Sequence, residues 1–317
     1  MKVTRRELGQ LVLTAPAAAL LTKGLAAAQA RAKPDSKWAG VQVGMNVPYN
    51  YGTEWYGGGL RTVTVDEALE KTLQLGVSAI ELRSQPVELF LGAPFGVLEP
   101  AREKPAEQAA AQQLRAWRLK ADPQRAAEVR RKFTDAGVTI DIVKYDGIYG
   151  FSDPEMDYAF TLAKALGVRA ISCELEVEGS RRVGQFADKH GMIVAYHGHT
   201  KTPPAMFETA FGYAGHNWAN IDIGHFVAGN FGNVVEYIRQ HHDRITHVHI
   251  KDRKANEGPN TPFGQGDTPI KDVLRLIRDN KWPIQATIEF EYPVPQGSKR
   301  VLEIRKALQY CKDALLT

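Results

Sequence analysis

The stretch RAISCELEVEGSRRVGQFADKHGMIVAYHGH, Arg169 to His199, decides the fold. A short apolar run opens it, a helical pattern (RRVGQFADKHG) follows, and a second apolar run (IVAYHGH) closes it. Strand-like runs separated by helical patterns mark βα units and a parallel sheet. The rhythm continues in both directions. Upstream lie VQVGMNV (Val41–Val47), SAIELR (Ser78–Arg83) and VTIDIVK (Val138–Lys144). Downstream lie WANIDIGH, ITHVHIKD and IQATIEFEY. Helical spacing marks Val65–Gly76, Pro123–Ala136, DPEMDYAFTLAKALG, Ala205–Tyr213, VVEYIRQHH, IKDVLRLIRDN and Lys299–Leu315. A partly helical, Pro/Gly-punctuated insertion follows the second strand. Eight strands alternating with helices predict a (β/α)8 TIM barrel, a single domain whose usual size is ~250 residues. The competing arrangement is an open doubly wound sheet. The barrel is preferred because no Gly-rich phosphate fingerprint follows the first strand.

The chain has 317 residues, 44% hydrophobic and 24% charged, enough for a sizeable core. Residues 1–30 read as an export signal. Arg5 and Arg6 precede an apolar run from Leu11 to Leu21, and the small-residue site AQA ends at Ala30. The arginine pair resembles a twin-arginine signal. The apolar run is shorter than the ~20 residues that span a bilayer, so stable membrane insertion is not expected. This predicts a domain over 31–317, delivered to the periplasm or otherwise exported by the twin-arginine machinery. The net charge is +4; Lys2, Arg5, Arg6 and Lys23 against Glu7 account for +3 of it, leaving +1. With no long basic run, nucleic acid is not an expected partner. Cys173 and Cys311, read as a strand and a helix residue, are not expected to pair, and no cysteine metal motif is present. Self-association is left open.

Barrel active sites form where strands end, so what each strand delivers there matters. Strand two brings Glu81 and Arg83; three, Asp141 and Lys144; four, Glu174 and Glu176. Strand five brings His197 and His199, and six brings Asp222 and His225. Seven brings His247, His249, Lys251, Asp252 and Arg253, and eight brings Glu289 and Glu291. All nine histidines lie at or after His190, and five fall at the ends of strands five to seven. A single strand-end histidine is more often a hydrogen-bonding residue than a ligand, but four neighbouring strands ending in ligand-type residues point to a metal site. Adjacent strands are ~4.8 Å apart, so these side chains can converge on one ion. Imidazole and carboxylate together suit Mn, Zn, Fe or Co. Alternation places His197 with His199, His247 with His249, and Glu289 with Glu291 on common faces. It does not choose the ligand within a pair. His190, His216, His241 and His242 read as surface residues.

The motifs YHGH (196–199), DIGH (222–225), HVHIKDR (247–253) with FGQGD (263–267), and IEFE (288–291) resemble the xylose-isomerase-like TIM barrel superfamily of sugar isomerases and epimerases. The resemblance covers most of residues 31–317. It implies one divalent metal ion held by His197, Asp222, His249 and Glu289. His197 stands where epimerases of this group carry glutamate. It implies proton abstraction from an unphosphorylated sugar or keto-sugar through a metal-stabilised enediolate, with Glu289, His197 or Glu174 as the catalytic acid/base. His225 and Arg253 would contact substrate hydroxyls. His199, His247, Lys251, Glu291, Glu81 and Trp55 complete the expected substrate contacts, with Tyr56 and Phe226 as further stacking aromatics. Two other readings stand beside this one. One is a metal-dependent lyase or dehydratase acting on 3-keto-glycosides or inososes; the other is a periplasmic sugar-binding protein without catalysis.

Overall fold

The computed structural model describes residues 33–52, 62–94 and 104–317. The export signal, Trp55, Tyr56 and the Gly57–Gly59 run lie outside the described residues. From Pro34 onward the chain forms one compact unit. Its centre is a ring of eight parallel strands: β1 (Val41–Val47), β2 (Ala79–Arg83), β3 (Thr139–Lys144), β4 (Ala170–Glu174), β5 (Ile193–His197), β6 (Asn217–Asp222), β7 (Ile245–Ile250) and β8 (Gln285–Ile288). Each pairs with the next. β8 returns to β1, with Ala286 opposite Val43 and Ile288 opposite Met45, so the barrel is closed.

Eleven α-helices lie among the described residues: α1 (Val65–Leu75), α2 (Ser84–Phe90), α3 (Lys104–Arg118), α4 (Ala126–Asp135), α5 (Asp153–Leu166), α6 (Val177–His190), α7 (Pro204–Tyr213), α8 (Ile223–Ala228), α9 (Val234–His241), α10 (Ile270–Asn280) and α11 (Arg300–Leu316). Local chemistry starts two of them sharply. Thr64 and Glu67 form a capping box before α1, and Ser152 and Glu155 form another before α5. In each, side chains and backbone N–H groups satisfy one another. None of the described helices is long and apolar enough to cross a membrane.

Strand residues divide between two environments. Val43, Ile80, Leu82, Ile171, Val248, Ile250 and Ile288 join the apolar core, as do helix residues such as Phe160, Ile277 and Ile304. The lumen is polar. Glu81 on β2 bonds His249 on β7, and three strand pairings separate these strands, so that contact crosses the lumen. Asn46, Asn220, His247, Gln285 and Thr287 are also buried. At the end where strands begin, Arg169 forms a floor. Its guanidinium reaches Asp141 on β3, the Thr246 carbonyl on β7 and the Pro283 carbonyl just before β8. Beside it, Gln285 fills space that Gly44 leaves open; a Cβ on Gly44 would stand 2.7 Å from the Gln285 amide nitrogen.

Three sequence expectations shift at their edges. The last strand stops at Ile288, so Glu289 and Glu291 follow it rather than end it. Asp222 ends β6 but also caps α8, accepting from the His225 N–H at 2.7 Å, so His225 is in a helical first turn. Asp252 and Arg253 leave β7 and pair with Asn260–Thr261 in a separate two-stranded ribbon. Cys173 and Cys311 are buried, free thiols.

Candidate metal centre and active site

Four consecutive strands bring His197, Asp222, His249 and Glu289 to the end of the barrel where strands finish. Each offers one ligand atom, all within 4.8 Å of one another. Atoms bound to one ion at about 2.1 Å lie at most about 4.2 Å apart, so small adjustments would close this set. All four residues are buried. His197 Nδ1 has no hydrogen-bond partner, His249 Nδ1 faces Glu289 Oε2 at 3.3 Å, and Asp222 Oδ2 meets the Lys251 ammonium. A buried polar atom without a partner is costly, and His197 Nδ1 beside two carboxylates and a second imidazole makes a donor set suited to a cation.

The charges show what an ion would have to displace. Burial, reinforced by the nearby Lys144 ammonium, pulls His197 well below the usual imidazole range, so it stays neutral. Burial also opposes protonation of His249, but the Glu289 and Glu81 carboxylates outweigh it and push the ring up to about 10. Burial would raise Glu289, yet Lys251 and His249 hold it well below the ordinary carboxylate range. Lys251 is the competing cation. Its ammonium lies 2.9 Å from Asp222 Oδ2 and 2.6 Å from both Glu289 Oε2 and Glu291 Oε2. An incoming ion would share the same carboxylate oxygens. Lys251 leaves the two imidazole nitrogens unanswered.

Above this cluster is a more open layer. Glu174 accepts from Lys144 at 2.7 Å and pairs with His199 Nε2 at 2.7 Å. These side chains are 42% and 56% exposed, respectively, so they can meet a bound molecule. Arg253 approaches His225 Nδ1 at 2.8 Å and Thr200 Oγ1 at 2.9 Å, while Lys251 approaches the other His225 nitrogen at 3.1 Å. Burial and Lys251 drive His225 down to about 3, keeping it neutral. Tyr49 donates to Glu291 Oε1.

Several expected substrate contacts occupy other places. Glu81 and His247 are fully buried in the lumen, on the far side of His249 from the metal cluster. Their strand positions point inward below the rim, so neither lines the mouth. Lys251 is 1% exposed and held by three carboxylates rather than presented to substrate. Asp141 belongs to the floor with Arg169. Sequence reasoning also missed Asn46, which donates to Glu289 Oε1 at 2.8 Å, and Asn220, 3.0 Å from His249 Nε2. Their signal was present: each is an amide near the end of a buried strand.

A family model described as the xylose isomerase-like TIM barrel matches residues 106–314. The chain belongs to this family. Solved structures agree on the fold. D-psicose 3-epimerase with D-tagatose from Clostridium cellulolyticum H10 is 12% identical, covers 87% of this chain and 99% of its own, and has a TM-score of 0.58. The probable 3-DHS dehydratase AsbF from Bacillus anthracis is also 12% identical, with 85% and 99% covered and a TM-score of 0.58. A xylose isomerase domain protein from Planctomyces limnophilus is 16% identical, with 87% and 97% covered and a TM-score of 0.57. No curated protein matches the chain in sequence.

Proposed function

We propose that this family member is a divalent-metal-dependent sugar isomerase or epimerase. It would move a proton between neighbouring carbons of an unphosphorylated sugar or keto-sugar. The convergence of buried His197 Nδ1, which has no partner, with Asp222, His249 and Glu289 carries this reading. Two nitrogens and two oxygens suit Mn, Zn, Fe or Co better than Mg. Such an ion would polarise a substrate carbonyl and offset the negative charge that develops as the neighbouring proton leaves.

The chain's own residues divide the remaining work. Both Glu289 oxygens are engaged, Oε1 by Asn46 and Oε2 by Lys251, which suits a ligand more than a base. The exposed Glu174–His199 pair is better placed to take and return the proton, since a base must come within ~3 Å of it. Arg253, Thr200 and Glu291 line the route and can orient hydroxyls. Lys144 and Lys251 are already paired with carboxylates, which favours a neutral sugar over a phosphorylated one. Export by a twin-arginine signal in residues 1–30 is consistent with such a substrate, and we retain it as part of the proposal.

A specific observation supports the lyase reading as second choice. The Glu174 hydrogen bond raises His199 above the usual imidazole value, so a protonated His199 at the mouth could protonate a departing oxygen. Elimination beside a ketone yields an enone that absorbs in the ultraviolet; isomerisation does not. The test is elemental analysis of the purified protein, then product analysis on sugars and 3-keto-glycosides. We expect about one transition-metal ion per chain, lost in Asp222→Asn and His249→Ala with far-ultraviolet circular dichroism unchanged. Full occupancy in both variants would remove the ligand assignment. A metal-free protein that refuses added metal, and returns every sugar unchanged, would favour a binding protein.

A further inference from the structure

Glu81 lies where no substrate reaches it. A carboxylate buried inside a barrel is costly unless something holds it. Its Oε2 lies 2.6 Å from His249 Nε2 and 3.6 Å from His247 Nε2, and all three residues are 0% exposed. Two arrangements compete. The three residues offer ligand atoms within 4.8 Å, so they could hold a second ion. Alternatively, Glu81 and His249 share a hydrogen bond. Atoms on one tetrahedral ion at about 2.1 Å sit about 3.4 Å apart. The observed 2.6 Å is the length of a charge-assisted hydrogen bond, and that arrangement prevails.

The bond fixes where the His249 proton sits. A carboxylate only accepts, so Nε2 carries the hydrogen. Asn220 Nδ2 lies 3.0 Å from the same nitrogen; with Nε2 protonated, that amide would be turned so that its otherwise unpartnered Oδ1 accepts the hydrogen. Nδ1 is then the nitrogen that would bind on giving up its own proton, on the side facing Glu289 Oε2 at 3.3 Å. Thr246 Oγ1 holds His247 Nδ1 at 2.6 Å, wedging a second imidazole against Glu81.

We infer that Glu81 is a positioning residue for the metal centre: across the lumen, it sets His249 to bind through Nδ1 and makes that nitrogen a stronger donor. The inference rests on the metal reading of the site. Carboxylates behind metal-bound histidines orient the ring and raise its basicity, and losing one costs about 10–100-fold in metal affinity.

The experiment loads wild-type and Glu81→Gln protein with Co²⁺. It measures affinity by chelator competition and records the visible d–d spectrum. Glutamine keeps the shape and removes the charge. We expect binding weakened about 10–100-fold with shifted d–d bands, and far-ultraviolet circular dichroism unchanged. Equal affinity with an identical spectrum would overturn the inference and leave the metal reading standing. A wild type that binds no Co²⁺ would instead bring down the metal reading, and this inference with it. Should Glu81→Gln fail to fold, histidine ¹⁵N NMR of Zn²⁺-loaded wild type decides: Nε2 must keep its proton while Nδ1 takes the metal shift. The reverse assignment would overturn the inference.

Discussion

Glu174 and His199 show how two ordinary side chains become a tuned pair. Burial would raise Glu174, but His199 and Lys144 lower it below its usual 4.5; the same hydrogen bond raises His199 above 6.5. The signs set a pH window. Stability from the raised histidine is full below 6.5 and fades as pH climbs through its folded value. Stability from the lowered glutamate is present above 4.5 and fades as pH falls through its folded value. Replacing Glu174 with Gln should return His199 toward 6.5, followed by histidine NMR of the metal-free protein; an unmoved titration would show the pair is uncoupled. At this scale the sequence was legible where chemistry repeats along a strand. YHGH, DIGH and HVHIKD announced ligand-type residues. They could not separate His247 from His249, because both face inward and only the depth of each along the lumen distinguishes them. Depth depends on how strands stagger around the barrel, which no single strand records.

Among the elements, the segment after β7 is the most tightly specified. Asp252 accepts from the backbone N–H groups of Gly264, Gly266 and Thr268 at 2.7, 2.9 and 3.2 Å. A Cβ on Gly266 would fall 2.0 Å from Asp252 Oδ1, so only glycine lets the loop come this close. This explains why KD and GQGD occur together in the sequence: one supplies the acceptor, the other the donors. Asp252→Ala would strand three N–H groups in a region where Asp252 is 2% exposed. We expect a loss of about 2–4 kcal/mol, seen as a lower denaturation midpoint. Gly266→Ala should be comparably destabilising by displacing the same carboxylate. If Gly266→Ala matched wild type in both stability and Arg253-dependent activity, the close approach would be dispensable. Element boundaries were harder to read. Asp222 serves as strand end, helix cap and candidate ligand, and its apolar neighbours carry the strand pattern past the point where the chain turns.

The whole molecule depends on contacts that sequence patterns do not express. Arg118, at the end of α3, forms a two-pronged pair with Glu88 of α2 at 2.7 and 3.1 Å and also approaches Glu155 of α5 at 3.4 Å. Glu88 is fully buried, and desolvation raises its carboxyl despite the arginine. Arg118→Ala would leave that group without its partner, at a cost of about 3–5 kcal/mol. The double replacement Glu88→Leu/Arg118→Met should recover much of the loss. Thermal unfolding of the single and double variants checks this, and equal destabilisation by both would refute it. The barrel itself was legible from the strand–helix rhythm because that rhythm is local. The polar lumen was not, since Glu81 and His249 lie 168 residues apart and meet only on closure.

Arg169 gives that closure a direction. By tying β3, β7 and the approach to β8 beneath the lumen, it gives the barrel a bottom opposite the mouth. A proton, water or ion that comes to His249 from the mouth must pass the place proposed for the sugar. On that route a seated substrate would act as a stopper, and traffic from the mouth would wait until it left.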